Sequence, residues 1–385
     1  MTTEITTPDG PVKAQTPVVL SASRSTDIPA YYAKWFMNRL REGWCARINP
    51  FNQRPVYISF RDVKVVVFWT KNPAPLLPYL DELDARGIHY YFQYTLNDYE
   101  REGFEPNVPA VDKRVETFRK LSERIGPDRV VWRFDPIILT PELSAGDILM
   151  RIWTVGKKLR GLTSKLVVSF VDVSVYRKVQ LNLVRDTPFF TKENVISAEP
   201  TASQREEICE GLRKIRERWA SEGWNLEIST CAEVEDLDRF GITHNKCIDD
   251  ALMLKCFGHD AALVEFLQTG KLPLAQATLF EAPAIPIKSV DRRISLKDKG
   301  QRKECGCIVS KDVGMYNTCM HFCVYCYANA SRKAVLNNHA RHDPNSPFLV
   351  RKRATASHSE VASGLGLAAP GRCAQHGMTA RSLSV

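Results

Sequence analysis

What most limits the fold of this chain is an alternation repeated six times: a short apolar run rich in β-branched and aromatic residues, then a stretch whose apolar positions recur with helical spacing. "PVVLSASR" is followed by "YYAKWFMNRLREG", "VKVVVFWTKN" by "PLLPYLDELDARG", "HYYFQYTLN" by "VDKRVETFRKLSERIG", and "RVVWRFDPIIL" by "AGDILMRIWTVGKKLRG". "KLVVSFVDV" leads after a loop to "TASQREEICEGLRKIRERWASEG", and "LEISTCAE" to "CIDDALMLKCFG". Strands joined through helices pair in parallel with right-handed crossovers. The expected fold is α/β, a partial or full (β/α) barrel of TIM type, because six or more such units tend to close or half-close.

Each strand ends in polar or charged residues: Ser21, Ser23 and Arg24; Trp69, Thr70 and Lys71; Gln93 and Thr95; Arg133 and Asp135; Asp172; Thr230, Cys231 and Glu233. In a parallel α/β barrel this C-terminal rim builds the active site. Any one such residue can simply mark where a strand leaves the core, but six strands showing it together point to a functional rim.

The expected organisation is a disordered lead-in over 1–16, one barrel body over 17–350 and a disordered basic tail over 351–385. The lead-in has neither a basic start nor an apolar stretch, so it reads as neither secretion signal nor transit peptide. No run approaches the roughly 18 apolar residues of a membrane helix. A soluble, cytoplasmic protein with no membrane partner is expected. The net charge of +9 is a C-terminal property. Residues 286–311 carry eight Lys/Arg against three acids, and residues 332–385 eight against two, which leaves the body nearly neutral. A nucleic-acid partner therefore stays open with little support from charge.

Eleven cysteines in a chain of this size and compartment argue against a disulfide framework and for metal or catalysis where they cluster. "YNTCMHFCVYCYAN" holds Cys319, Cys323 and Cys326 as C-x3-C-x2-C with no fourth cysteine following nearby. Zinc fingers usually pair two C-x2-C-like halves. Three thiolates on one loop instead suit an iron–sulfur cluster with one iron left open for chemistry.

These residues resemble the radical S-adenosylmethionine superfamily, whose signature is C-x3-C-x2-C with an aromatic, here Tyr325, before the last cysteine. The flanks, together with "FWTKNP", look like the spore photoproduct lyase branch. From about 17 to 350 the chain resembles a bacterial family, domain of unknown function 1848, whose pieces "SASRSTDIPAYY", "FWTKNPAPLLPYLDEL", "WRFDPI" and "HDPNSPFL" all occur here.

The resemblance implies a 4Fe-4S cluster on Cys319, Cys323 and Cys326, with S-adenosylmethionine chelating the unique iron. Reductive cleavage would give methionine and a 5'-deoxyadenosyl radical acting on an unknown substrate, with electrons from a flavodoxin or ferredoxin-type reductant. It places Tyr325, Asn317, Ser21 and Thr70 as candidate cofactor contacts. Lys71 and Arg133 become candidate catalytic residues pairing with the cofactor carboxylate or a substrate anion, against the equal alternative of structural ion pairs. In the superfamily the cluster loop follows the first barrel strand. Here it comes last, so "SKDVGMYN" would be that strand, the chain would be circularly permuted, and this strand would pair beside "VVLSASR".

A second constellation is Cys231, Cys247, Cys305 and Cys307, candidate ligands of an auxiliary iron–sulfur cluster or a zinc, with His244 as an alternative ligand. The competing reading makes Cys231 and Cys247 buried packing residues and the C-x-C pair a loop feature. Cys45, Cys209 and Cys256 read as packing residues within helical patterns, and Asp27 and Asp249 as helix caps. Two alternatives stand beside the radical enzyme: a zinc-containing nucleic-acid-binding protein and a DNA-repair lyase related to spore photoproduct lyase.

Overall fold

The computed structural model describes residues 2–49, 52–231, 233–273 and 295–351. Its frame is an eight-stranded sheet in which every neighbouring pair runs parallel. The spatial order is β11 (Thr243–His244), β10 (Glu227–Thr230), β9 (Lys165–Phe170), β8 (Val130–Ile137), β7 (His89–Thr95), β6 (Val65–Thr70), β3 (Val19–Ala22) and β12 (Lys311–Asp312). The helices are α1 (Ile28–Tyr31), α2 (Ala33–Glu42), α3 (Leu80–Ala85), α4 (Val111–Ile125), α5 (Ala145–Leu159), α6 (Arg177–Asp186), α7 (Ala202–Ser221), α8 (Asp250–Phe257), α9 (Ala261–Thr269) and α10 (Arg332–His339).

Successive strand side chains point to opposite faces. Leu20, Val66, Phe68, Tyr90, Phe92, Trp132 and Phe134 enter the larger core, where they meet Trp35, Phe36, Phe118, Ile148, Ile152 and Trp219 from the helices. Val19, Val65, Val67 and Tyr91 point the other way, into a second core with Met253, Phe257, Leu263 and Phe266 of α8 and α9. Burial on both faces explains why these strands read as continuous apolar runs rather than as alternating ones. Local signals fix the helix starts. Ser144 with Asp147 opens α5 and Thr201 with Gln204 opens α7, each as a reciprocal capping box.

All six expected strands form. The seventh, expected from "SKDVGMYN", reduces to β12 and pairs parallel with β3 in the register Lys311↔Leu20 and Asp312↔Ser21. The α/β class with a large parallel sheet is thus what the chain adopts. Among the described residues β11 and β12 are its two edge strands.

The lead-in departs from expectation. Residues 2–15, expected to be disordered, form an antiparallel hairpin of β1 (Thr2–Thr7) and β2 (Gly10–Gln15). With β5 (Pro55–Ser59) and β4 (Trp44–Ile48) they build a separate four-stranded sheet in the order β1-β2-β5-β4. The reason is local: β1 is rich in β-branched residues, four threonines and Ile5, a Pro-Asp-Gly turn closes the hairpin, and pairing of β2 with β5 buries Ala14. Cys45 lies in β4, a strand rather than a helix, and is fully buried there. The expected tail, Arg351 apart, lies outside the described residues, as do residues 274–294.

Candidate functional site

The end of β3 is tied to β12 by one carboxylate. Asp312 Oδ2 accepts from the Ser21 hydroxyl at 2.6 Å and the Arg24 amide at 2.8 Å, while its Oδ1 accepts from the Ser23 hydroxyl at 2.7 Å and the Gly314 amide at 2.8 Å. Gly314 is needed for closeness: a Cβ there would stand 1.9 Å from Ser23 Oγ and 2.5 Å from Ser23 Cβ.

The three-cysteine loop leaves this knot at the C-terminal end of the sheet and is pinned along its length. The Tyr32 hydroxyl donates to the Thr318 carbonyl at 2.7 Å, Asn329 Nδ2 to the Cys319 carbonyl at 2.9 Å, and Asn107 Nδ2 to the Met320 carbonyl at 2.8 Å. The Val324 amide donates to the Phe104 carbonyl at 3.0 Å. Buried His321 sets Nε2 2.8 Å from Asp27 Oδ2 and Nδ1 3.0 Å from the Tyr31 hydroxyl. Asp27 also caps α1 through the Ala30 amide, as expected of it, and accepts the Lys71 amide at 2.7 Å. The loop is therefore locked to the ends of β3 and β6. Cys323 is buried, and Cys319 and Cys326 are partly exposed. Burial, with Asp27 and Cys326 nearby, pushes the Cys319 thiol up to about 12.

Lys71, at the end of β6, meets the loop at Tyr325. Its Nζ lies 2.7 Å from Glu105 Oε1 and 2.9 Å from the Tyr325 hydroxyl, which itself hydrogen-bonds Glu105. Arg114 Nη1 stands 3.4 Å from the other Glu105 oxygen. Burial alone would raise the Glu105 carboxyl, but Lys71 and Arg114 outweigh it and hold it down at about 2. Two cations face one carboxylate here, and Lys71 is the one that also acts on the Cys323 thiol.

Asn97 extends the network. Its Nδ2 donates to Glu105 at 3.0 Å and to the Tyr325 hydroxyl at 3.2 Å, and its Oδ1 accepts the Asp135 amide at 2.8 Å. Asp135 is paired with Arg133, whose Nη1 also reaches Gln93 Oε1 at 3.1 Å and Cys247 Sγ at 3.2 Å. A continuous buried chain of polar contacts thus runs from Tyr325 to Cys247. Cys247 Sγ lies 3.3 Å from Cys231 Sγ, and Cys307 stands between Cys247 and Cys305, near enough to influence both thiols. Cys307 brings the Cys305 thiol down to about 7.

Both thiol groups suspected from sequence therefore lie by the C-terminal ends of the strands, but among the described residues neither brings three ligand side chains together on one ion-sized point. Lys71 and Tyr325 stand at the loop, whereas Arg133 stands at the second thiol group. Ser21 is engaged with Asp312, and Thr70 Oγ1 accepts the Asn72 amide at 2.9 Å. Asn317 adopts φ 59° and its side chain accepts the Ala330 amide at 2.5 Å, shaping the turn of the loop. His244, in β11, is exposed. Sequence reasoning missed Glu105, Asn97, Asp312 and Gly314. The one available signal was Asp312 at the predicted last strand. Asn97 and Glu105 belong to the segment after β7, where nothing periodic marks them.

"HDPNSPFL" also finds its place, against the back of the loop's support. Trp35 Nε1 and Arg39 Nη2 donate to the carbonyls of Ser346 and Asn345, each at 2.9 Å, and Ala46 pairs with Phe348.

Fold and site together define an α/β protein whose parallel sheet carries a three-cysteine loop after an edge strand. The chain belongs to the family described as Domain of unknown function (DUF1848), whose model matches residues 19–328. No curated protein and no solved structure matches it. Among the described residues no helix is long and apolar enough to cross a membrane.

Proposed function

We propose that this chain is a radical S-adenosylmethionine enzyme built on a partial (β/α) barrel in circularly permuted order. The observation that carries the reading is the Cys319, Cys323 and Cys326 loop, which leaves β12 where β12 pairs with β3 and meets Lys71 and Tyr325 at the C-terminal ends of the strands. The donor set fits a cluster: three soft ligands on one loop whose backbone is held from both sides, next to the Lys71 cation. Cys319, Cys323 and Cys326 would hold three of its irons. The chemistry such a cluster supplies when bound is one-electron reduction of S-adenosylmethionine to methionine and a 5'-deoxyadenosyl radical that takes hydrogen from a substrate.

The protein's own contribution is orientation and charge. Lys71 offsets negative charge that accumulates beside Cys323, and Glu105, held by Lys71 and Arg114, keeps that cation fixed. Tyr325, Asn97 and the buried His321–Asp27 pair hold the loop so that its sulfurs keep their spacing without water entering behind them. A flavodoxin or ferredoxin-type donor is the reductant this chemistry needs.

The test is anaerobic purification followed by reduction with S-adenosylmethionine present. The expected results are brown iron–sulfur absorption and release of methionine and 5'-deoxyadenosine, both lost in Cys319→Ala/Cys323→Ala/Cys326→Ala. Zinc without iron, together with salt-sensitive nucleic-acid binding, would replace this reading with the zinc-protein alternative.

A further inference from the structure

Four thiols outside the three-cysteine loop converge from three separate segments. Cys231 follows β10, Cys247 lies between β11 and α8, and Cys305 and Cys307 sit in the segment just before β12. Cys231 and Cys247 are in contact, with 3.3 Å between their sulfurs, and Cys307 neighbours both Cys247 and Cys305 closely enough for these thiols to shift one another's titration. Cys247 and Cys307 are buried, and Cys231 and Cys305 are partly exposed.

The surroundings are built for sulfur that carries charge. Arg133 Nη1 points at Cys247 Sγ from 3.2 Å, Asn245 Nδ2 from 3.5 Å, and the Ile248 amide donates to Cys307 Sγ at 3.4 Å. The Arg24 guanidinium lies near Cys307 and Cys247, and its Nη2 is buried without a hydrogen-bond partner among the described residues. Neutral thiols are weak acceptors and do not call for two guanidinium groups and a backbone amide. A tetrathiolate centre with net charge of about -2 would use all of them.

We propose that Cys231, Cys247, Cys305 and Cys307 are the ligands of a second metal site, a closed mononuclear tetrathiolate that takes zinc. Spacing favours one ion over a cluster. Zinc–sulfur bonds of about 2.3 Å in a tetrahedron place sulfurs roughly 3.8 Å apart, close to the 3.3 Å between Cys231 and Cys247, whereas a four-iron cube spreads its cysteines much further. Among the described residues no three His, Cys, Asp or Glu side chains already converge on one ion-sized point. Closing the set into a tetrahedron would bring inward its partly exposed members, Cys231 and Cys305. Cys305 sits in the segment before β12. Its segment is otherwise anchored: the Asp298 amide donates to the Cys307 carbonyl at 2.9 Å and the Ile308 amide to the Ile248 carbonyl at 3.1 Å.

The consequence is architectural. β11 and β12 are the two edges of the sheet, and these thiols come from the segments beside them. A metal here cross-links the β10–β11 end to the approach of β12, and so fixes the strand from which the three-cysteine loop departs.

The experiment is metal and sulfide analysis of the full chain produced in zinc-replete medium, compared with two variants. About one zinc per chain is expected, retained in Cys319→Ala/Cys323→Ala/Cys326→Ala and lost in Cys231→Ser/Cys247→Ser. Because the latter can fail to fold, Cys305→Ser is the second probe, with zinc lost to a chelator at least ten-fold faster than from the unaltered chain. About eight irons per chain, zinc indifferent to both substitutions, or a Cys231–Cys247 disulfide in place of metal would overturn the proposal. Retention of zinc by the triple-alanine variant keeps this result independent of whether the loop binds iron.

Discussion

Ser21 and Asp312 stand 291 residues apart in the chain and 2.6 Å apart between Oγ and Oδ2. That bond joins the strand that opens the sheet to the strand that introduces the three-cysteine loop. The same carboxylate collects Ser23, Arg24 and Gly314, so Asp312 ties the last motif in sequence to the first strand in space.

Asp312→Ala removes the acceptor for all of these donors, two of which, the Ser21 and Ser23 hydroxyls, belong to buried residues. Each buried donor left unpaired costs about 1–3 kcal/mol, so a total loss of roughly 3–5 kcal/mol is expected. Denaturant unfolding measures it, and Asp312→Asn should lose less. An unchanged midpoint for the alanine variant would mean that β12 is not held this way.

Gly314→Ala places a methyl group against Ser23, and a loss of about 1–3 kcal/mol is expected from the overpacking. Adding Ser23→Gly, which removes both the Oγ and the Cβ it would strike, should restore part of that loss. A double variant no more stable than the single would show that the strain lies elsewhere.

Lys71→Met removes the nearer of the two cations on buried Glu105 and leaves it to Arg114, Asn97 and Tyr325, so a loss of about 1–3 kcal/mol is expected. The pH dependence follows from Glu105. Its folded carboxyl, at about 2, lies below its ordinary value of 4.5. A group depressed in this way contributes stability in full above its unfolded value and loses it as pH falls through the folded one, here from about 4.5 down to about 2. The contribution is on the order of 3 kcal/mol. Glu105→Gln should flatten the acid limb of the stability profile in that window, and an acid limb of unchanged slope would contradict the pairing.

Much of this was legible in the chain. The six core strands announce themselves because both of their faces are buried, which concentrates Val, Phe and Tyr into runs that no loop would carry. Position along those strands then placed Lys71 and Arg133 on the rim, but it could not tell which of the two thiol groups each would join. That depends on Asn97 and Glu105, polar residues whose importance comes only from meeting Tyr325 across 228 and 220 residues of sequence. The hairpin of residues 2–15 is hard to read in the sequence because its first strand is mostly exposed threonine and glutamate around a single Ile5, with no apolar run to mark it. The pairing of β12 with β3 was readable for a different reason: the resemblance makes the strand before the three-cysteine loop the first of the barrel in permuted order, which sets it beside the strand of "VVLSASR".

The most direct test of the central claim is quantitation of 5'-deoxyadenosine from the reduced, anaerobically prepared full chain with S-adenosylmethionine, alongside Cys319→Ala/Cys323→Ala/Cys326→Ala. Release of 5'-deoxyadenosine by the unaltered chain, with about four irons and four sulfides attributable to the loop, and none from the variant, is the predicted result. Equal release from both, or no thiol-dependent iron in the unaltered chain, would contradict it.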